Sequence, residues 1–576
     1  MGIPKAAAPC LVFLAGVVLH SCDHTGTGDD DTSATSTPST GSAPPVIDPV
    51  GGERALNANL YVVEGEPIEF SLTAQDPDGD SLTWSAINVP DWATFDTTTA
   101  TFSGTPDPWA EQFEDRVNQD GKFDVTFDVT DGTHTTRKVV TIHVLDATWT
   151  EKTIAELIAE RPITRGQLGT PIEIDIASDT VVAAPVSGKQ IRWIQFSFTS
   201  QVADMEGWED DWVSDVNYAC LPLEAPAAPN AGAIVEGDYS TTFGDDYLTK
   251  ETCAELDIPV LIIDRGWDWD KPLALMDKYD EEAVRQRDPH FLFYVFTAAH
   301  YLRAADGFAT LIETQTDWNF SRADFRVVIT GHSKMGHSAI VAAAGAPGRV
   351  AGFMASGCPD LDTDASRLLG NVQQAVSTKP ESSTTYRGVI MRYFEDTLVI
   401  QDQMDPGTLG FMALGTNDAN GDPVGYTPKY LLGVSTKQLT IPNRVGTIPN
   451  EVHTTANDLD YVFWKMWVAH AFLDRPVPLV EEVYHERGDS EITVKARISS
   501  DIDLEQVRVW ATTQDDLNYD PWDQFEAHPM TLAGDTWEGT IPLEATAYFV
   551  DILDVEGGVV SSAPQPTNED YPLLGG

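Results

Sequence analysis

The sequence predicts a multidomain chain. A central α/β domain, with a mostly parallel sheet and helices on both faces, is flanked by an N-terminal Ig-like β-sandwich and a C-terminal β-sandwich. Three observations predict this. The chain has 576 residues, and single domains run to about 100–200. Short strand-like runs separated by Gly, Pro and Asp turns fill residues 47–147 and 481–576, as in sandwiches. Between them, over 148–480, buried-strand runs alternate with longer helical stretches, the pattern of βαβ units. The apolar fraction of 42% and the aromatic fraction of 9% suit packed cores throughout.

The charge balance narrows the partners. Ninety acidic residues against 35 basic ones leave a net charge of -55. Such a surface repels phosphate, which excludes nucleic acid, and it repels an anionic bilayer, which excludes loose membrane adsorption. What it supplies is solubility, including in salt.

The first 22 residues read as a lipoprotein signal peptide. Lys5 precedes an apolar run from Ala6 to Leu19, broken by Pro9 and Cys10. It is too short to span a bilayer and has the form of a secretory leader. The ending Leu19-His20-Ser21-Cys22 resembles a bacterial lipobox, with Cys22 as the lipidated residue. His20 replaces the usual small residue, so ordinary secretory cleavage is the alternative. Two or three acyl chains on Cys22 would make a stable anchor. The expected location is therefore the cell envelope or the extracellular space, with membrane contact only through the lipid. Residues 23–46 are mostly Asp, Gly, Ser, Thr and Pro, a linker without enough apolar surface to fold. Beyond the leader only Cys220, Cys253 and Cys358 remain. Three thiols allow at most one disulfide, and Cys220 with Cys253 is the expected pair.

In the domain spanning 47–147, Leu60–Val63, Ile68–Leu72, Phe123–Val129 and Val139–Val144 are strand-like. Ala74-Gln75-Asp76-Pro77-Asp78-Gly79-Asp80, Phe102-Ser103-Gly104-Thr105-Pro106 and Val129-Thr130-Asp131-Gly132 resemble the Ig-like and cadherin-like modules of bacterial surface proteins. Asp76, Asp78 and Asp80 offer the carboxylates that Ca²⁺ prefers. The expected reading of the run is nonetheless an ordinary solvated Asp-Gly turn.

The chemistry falls in the central domain. Ile191–Phe198, Val216–Pro222, Ala231–Val235, Val260–Ile263 and Phe325–Thr330 read as strands, and Tyr247–Leu256, Pro289–Ile312 and Ser338–Ala344 as helices. Ser333 then sits at a sharp turn between a buried strand and a small-residue helix. This is the setting of a nucleophile elbow, where the serine is exposed above the sheet and faces the positive end of a helix. The spacing is Gly331-x-Ser333-x-x-Gly336 rather than the common Gly-x-Ser-x-Gly. A serine hydroxyl needs a base and an orienting acid, and in an α/β-hydrolase they follow in the order Ser, acid, His. His337 is too near in sequence to return to Ser333. His470 lies within an apolar helix, Tyr461–Leu473, while His485 and His528 fall in the C-terminal β region. His453 follows the strand-like Leu439-Thr440-Ile441 and a Pro/Gly/Asn loop, Pro442–Glu451, and is the expected base. Asp418, just after Phe411–Leu414, is the expected acid; Asp405, Asp360 and Asp362 compete with it. The backbone amides of Lys334 and Gly237 are the expected oxyanion hole.

With these residues assembled, the region 148–560 resembles the PhoPQ-activated pathogenicity-related protein family. The likeness rests on Thr199-Ser200-Gln201, Trp208 and Trp212, the elbow Gly331-His332-Ser333-Lys334-Met335-Gly336, Asp405-Pro406, Gly415-Thr416-Asn417-Asp418, and Pro449-Asn450 ahead of His453. It implies an α/β-hydrolase with a β-sandwich tail and the triad Ser333, Asp418 and His453. His332 and Met335 depart from the family's elbow. Ile441-Pro442-Asn443 is a second Pro-Asn copy that blurs the register before His453, and the N-terminal sandwich is extra to the family pattern. In 481–576 the strand-like runs are Ile492–Ala496, Val507–Ala511, Trp537–Ile541 and Ala547–Asp551.

Two functional readings follow. The first is an exported serine hydrolase, an esterase before a peptidase, acting through an acyl-enzyme on a small-molecule or polymeric ester or peptide. The second is a surface binding or adhesion lipoprotein on a hydrolase fold that lacks activity, since fold does not fix function. Neither requires a cofactor or a metal.

Overall fold

The computed structural model describes residues 45–47, 58–63, 65–77, 79–106, 122–145, 152–160, 168–201, 212–236, 247–263, 292–357, 397–416, 439–451, 458–513 and 525–567. The leader with Cys22, and almost all of the expected linker, lie outside them. No helix among the described residues is long and apolar enough to cross a membrane.

The N-terminal module consists of β1 (Val46–Ile47), β2 (Ala58–Val63), β3 (Ile68–Ser71), β4 (Ala74–Gln75), β5 (Thr83–Ile87), β6 (Ala93–Asp96), β7 (Thr101–Gly104), β8 (Lys122–Thr130) and β9 (Thr135–Leu145). They form a sheet β2-β9-β8-β5, a sheet β3-β7-β6 and the pair β1-β4. Alternation along β8 turns Val125, Phe127 and Val129 inward, where side chains of period two must point. Phe102 stacks on Phe70 at 5.0 Å and meets Trp92 edge-on at 6.0 Å, so aromatic packing fills this small core.

The central sheet starts with β10 (Asp175–Ala183), β11 (Gln190–Gln201), β12 (Trp212–Pro222), β13 (Ala231–Glu236) and β14 (Val260–Ile263). It continues with β15 (Arg326–His332), β16 (Val350–Ser356), β17 (Leu409–Gly415) and β18 (Asn443–Ile448). Their spatial order is β10-β11-β12-β14-β13-β15-β16-β17-β18. From β14 onward every pairing within this set is parallel, whereas β12 is antiparallel to both its neighbours. The helices are α1 (Ile154–Glu160), α2 (Tyr247–Leu256), α3 (Phe293–Gln315), α4 (Lys334–Gly345), α5 (Thr397–Ile400) and α6 (Asp458–Phe472). Val327 and Ile329 of β15 pack into one apolar core with α1, α3 and α4, while Val328 packs into the other with α2 and α6. Helices thus cover both faces, which is why β15, β16 and β17 are apolar and buried almost throughout.

Two sequence expectations need correction here. The stretch read as a loop after Leu439–Ile441 contains β18, while the strand-like Leu439–Ile441 itself is irregular. Pro442, Asn443 and Gly446 hide the strand. Gly446 is there for packing: a Cβ on it would stand 2.6 Å from the Phe463 ring and 2.7 Å from Phe411. Cys220 and Cys253 are buried thiols not joined to one another. Both belong to the apolar core beneath α2, where a thiol behaves as a small hydrophobe.

The C-terminal region holds β19 (Leu479–Arg487), β20 (Glu491–Ser499), β21 (Leu504–Thr512), β22 (Glu526–Pro529), β23 (Thr531–Ala533), β24 (Thr536–Pro542), β25 (Ala547–Asp554), β26 (Val559–Ser561) and β27 (Gln565–Pro566). One sheet is β19-β20-β24-β23. The others do not close on themselves. They extend the central sheet as β18-β26-β25-β21-β22, with β27 beside β25. The join is Val445 paired with Ser561, and Ser561 Oγ accepts from Thr447 N–H at 2.6 Å. Arg475, after α6, donates twice to the buried Asp554 carboxylate at 2.9 Å. Apolar residues of both C-terminal sheets share one core with α6.

Candidate active site

Strand β15 ends at His332 and α4 begins at Lys334, leaving one residue for the reversal. Ser333 makes it at φ 53° and ψ -121°, a conformation that a non-glycine residue adopts only when its surroundings impose it. Those surroundings are explicit. Ser333 N–H donates to Ser356 O at the end of β16 (2.8 Å), and Ser333 O accepts from His337 N–H (3.2 Å). Tyr301 of α3 donates its hydroxyl to Thr330 O (3.1 Å), with Met335 O at 3.5 Å, bracing the two sides of the turn. A Cβ at Gly331 would lie 2.5 Å from the Met335 backbone and 2.6 Å from Tyr301 Oη. Glycine is therefore required where strand and helix cross, although the helix-side position holds Met335.

A serine that begins a helix normally caps it with its hydroxyl. Ser333 makes no side-chain cap bond. Its half-exposed hydroxyl is left for other chemistry, at the positive end of a 12-residue helix. Lys334 provides the first helical amide, one of the N–H groups without an intrahelical acceptor.

Behind the elbow, the buried His332 ring contacts Ser356 Oγ through Nδ1 at 3.3 Å and lies against Gly357. A Cβ there would fall within 2.9 Å of both ring nitrogens, and Gly357 has φ +58°. Tyr301, Ser356 and Gly357 were not legible as site residues, because they reach the elbow from distant parts of the chain.

Of the other expected residues, Asp418, His453, Gly237, Asp360 and Asp362 lie outside the described residues. So do Asp78 and Trp208. The elements that lead to them are described. Strand β13 pairs with β15 in the register Val235 to Thr330, and Gly237 follows one residue after its end. Strand β17 ends three residues before Asp418, and β18 five before His453. Parallel pairing brings the C-terminal ends of all these strands to the edge that carries Ser333.

Asp405 falls at the other edge. It precedes β17 and stands 3.7 Å from Arg326, the first residue of β15. Seven strand residues separate that edge from Ser333, about 20 Å, so Asp405 cannot orient its base. The packed histidines are engaged elsewhere. His337 lies against Tyr294 at 4.5 Å, His470 donates through Nδ1 to Arg475 O at 2.6 Å, and His485 Nδ1 is 3.1 Å from Tyr548 Oη. In the N-terminal module, Asp76 Oδ1 accepts from Asp80 N–H at 3.0 Å, closing a turn around Gly79. No group of three or more His, Cys, Asp or Glu among the described residues is placed to hold a metal ion.

Comparison with known proteins gives two kinds of likeness. Residues 44–145 match the family model "Putative Ig domain", so the N-terminal module is Ig-like. No curated protein matches the chain. Among solved structures, an S-formylglutathione hydrolase from Agrobacterium tumefaciens is similar at 16% identity over 52% of this chain and 99% of its own, with a TM-score of 0.34. A dienelactone hydrolase from Anabaena variabilis shares 15% identity over 52% of this chain and 98% of its own, at a TM-score of 0.27. Est1E from Butyrivibrio proteoclasticus shares 13% over 52% and 99%, at 0.29. Scores this low carry no argument. The α/β-hydrolase-like fold of the central domain rests on its own strand order and on the elbow after β15.

Proposed function

We propose that the chain is an exported serine hydrolase, an esterase before a peptidase, with Ser333 as nucleophile, His453 as base and Asp418 as orienting acid. The observation that carries the reading is the left-handed backbone of Ser333 at a one-residue strand-to-helix reversal, with a hydroxyl not spent on capping. A turn serine kept for structure would cap its helix or give way to glycine.

In this reading His453 takes the proton of Ser333 Oγ as that oxygen bonds to the substrate carbonyl carbon. The amides of Lys334 and Gly237 receive the developing oxyanion. The protonated His453 returns the proton to the leaving alcohol as the ester C–O bond breaks, leaving an acyl-enzyme. Water then repeats the sequence, with His453 as base, and releases the acid. The edge reached by the ends of β13, β15, β17 and β18 supports this set. Its likeness to the PhoPQ-activated pathogenicity-related family belongs to the same reading, as do the signal peptide and the anchor at Cys22.

A fluorophosphonate probe tests it. The native chain is expected to take one label, and Ser333→Ala none. A folded native chain that takes no label would favour the adhesion reading. A mass spectrum of the envelope-associated protein should show acylation at Cys22; a mature N-terminus elsewhere removes the anchor.

A further inference from the structure

We infer that Asn450 is a positioning residue of the catalytic centre, through which the C-terminal β region holds the loop bearing the base. This rests on the hydrolase reading above.

Asn450 lies two residues beyond β18 and three before His453, and it has φ +63°. Its carboxamide exchanges two hydrogen bonds with one backbone unit of the C-terminal region. Oδ1 accepts from Phe525 N–H at 2.7 Å, and Nδ2 donates to Phe525 O at 3.2 Å. The side chain thus pairs with the segment entering β22 as a strand would. Phe525 is itself fixed: it is buried, and its ring lies 5.6 Å from Phe549 of β25.

The backbone of Asn450 makes the third tie. Its N–H donates to Thr416 Oγ1 at 2.7 Å, while Thr416 N–H donates to Ile448 O at 2.9 Å. Thr416 is the first residue after β17, two before Asp418. One residue therefore joins the exit of the strand leading to the acid, the exit of the strand leading to the base, and the C-terminal sheet. Only three residues of chain, a reach of at most about 11 Å, separate this anchor from His453 in sequence. Left-handed φ alone does not explain Asn450. Glycine adopts it with less strain, but glycine cannot make the two bonds to Phe525.

That difference is the test. In the full chain, Asn450→Gly keeps the turn and removes the carboxamide. Turnover of p-nitrophenyl acetate is expected to fall about 10- to 100-fold in kcat, the scale of a misplacement of about 1 Å, with KM within about twofold. Hydrogen exchange over residues 448–451, where Asn450 N–H is bonded to Thr416 Oγ1, is expected to quicken while melting stays near native. Asn450→Asp keeps the acceptor for Phe525 N–H and should recover part of the rate; Thr416→Val should lose part of it. Asn450→Gly with native turnover and native exchange overturns the inference. A native chain without activity overturns the hydrolase reading instead, and is told apart because the exchange difference persists.

Discussion

Replacing Ser333 by glycine should make the protein more stable while abolishing its chemistry. At φ 53° and ψ -121° the Cβ of Ser333 opposes its own backbone, a strain of about 1–3 kcal/mol. Glycine removes it but loses about 0.5–1 kcal/mol more conformational entropy on folding. The net gain lies within about 0–2.5 kcal/mol, with about 1 kcal/mol at mid-range. The control is Ser333→Ala, which keeps the Cβ and so the strain, and should lie within about 0.5 kcal/mol of native. Calorimetry on the three proteins reads the difference as an upward shift of about 1–4 °C in the central-domain transition for Ser333→Gly. Neither variant should take a fluorophosphonate label. If Ser333→Gly melts at or below Ser333→Ala, the elbow is not strained and the reasoning fails.

Four further outcomes rest on contacts elsewhere in the chain and at the elbow. Gly331→Ala places a methyl 2.5 Å from the Met335 backbone, which cannot yield cheaply. It should lose about 1–3 kcal/mol and label about a hundredfold more slowly; native labelling refutes the close crossing. Asp554→Ala takes from Arg475, 11% exposed, its fully buried partner, leaving it the exposed Glu556 at 3.3 Å, and strips the acceptor from two backbone amides; it should lose about 2–4 kcal/mol in denaturant titration. Lys152→Ala, breaking an exposed pair with Glu160, should lose less than about 1 kcal/mol. Burial lowers the His470 imidazole below its usual 6.5, against the Arg475 carbonyl, which favours the charged ring. A lowered folded value means stability present above 6.5 and lost as pH falls through it. His470→Gln should therefore lose less melting temperature than native between about pH 7.5 and about pH 5; an equal drop refutes the assignment.

What was legible in the sequence was set by local chemistry. Tyr247–Leu256 and Val260–Ile263 form the expected elements with the expected ends. Helix α3 runs to Gln315 rather than Ile312, because polar residues that read as loop are held in the helix, where Thr314 Oγ1 donates to Thr310 O at 2.8 Å. The strand expected over Ile191–Phe198 runs on through Thr199-Ser200-Gln201, with Thr199 paired to Val213. Strand β18 was hidden for the opposite reason: Pro442 and Gly446 are turn formers in sequence, yet the strand begins directly after Pro442 and packing against Phe463 and Phe411 demands Gly446. The elbow was legible because strand, serine and helix are contiguous. The bracing by Tyr301 and Ser356 and the tie from Asn450 to Phe525 were not, since such partners meet only through the sheet order. No local pattern encodes that the C-terminal strands extend the central sheet through Val445 and Ser561.

The two edges of the central sheet are built by different means. At the edge where β15, β16 and β17 begin, charge does the joining. Asp306 of α3 holds Arg349, just before β16, at 2.5 Å and the Gly169 amide at 2.9 Å. Burial pushes the Asp306 carboxyl above its usual value, against the pull of Arg349, the Gly169 amide and Arg303. Arg326 and Asp405 face each other along the same edge. At the opposite edge the exits turn through left-handed backbone: Ser333 after β15 at φ 53°, Gly357 after β16 at φ 58° and Asn450 after β18 at φ 63°. Two of the three are not glycine. Ser333 carries a cost of about 1–3 kcal/mol, whereas asparagine is among the residues that tolerate this region. Here each keeps a polar side chain, one hydroxyl left out of its helix cap and one carboxamide bonded across to Phe525. Left-handed non-glycine residues also follow α2 and α6, at Asp257 and Asp474, so strain alone does not set this edge apart; the uncapped hydroxyl of Ser333 and the carboxamide bridge of Asn450 do.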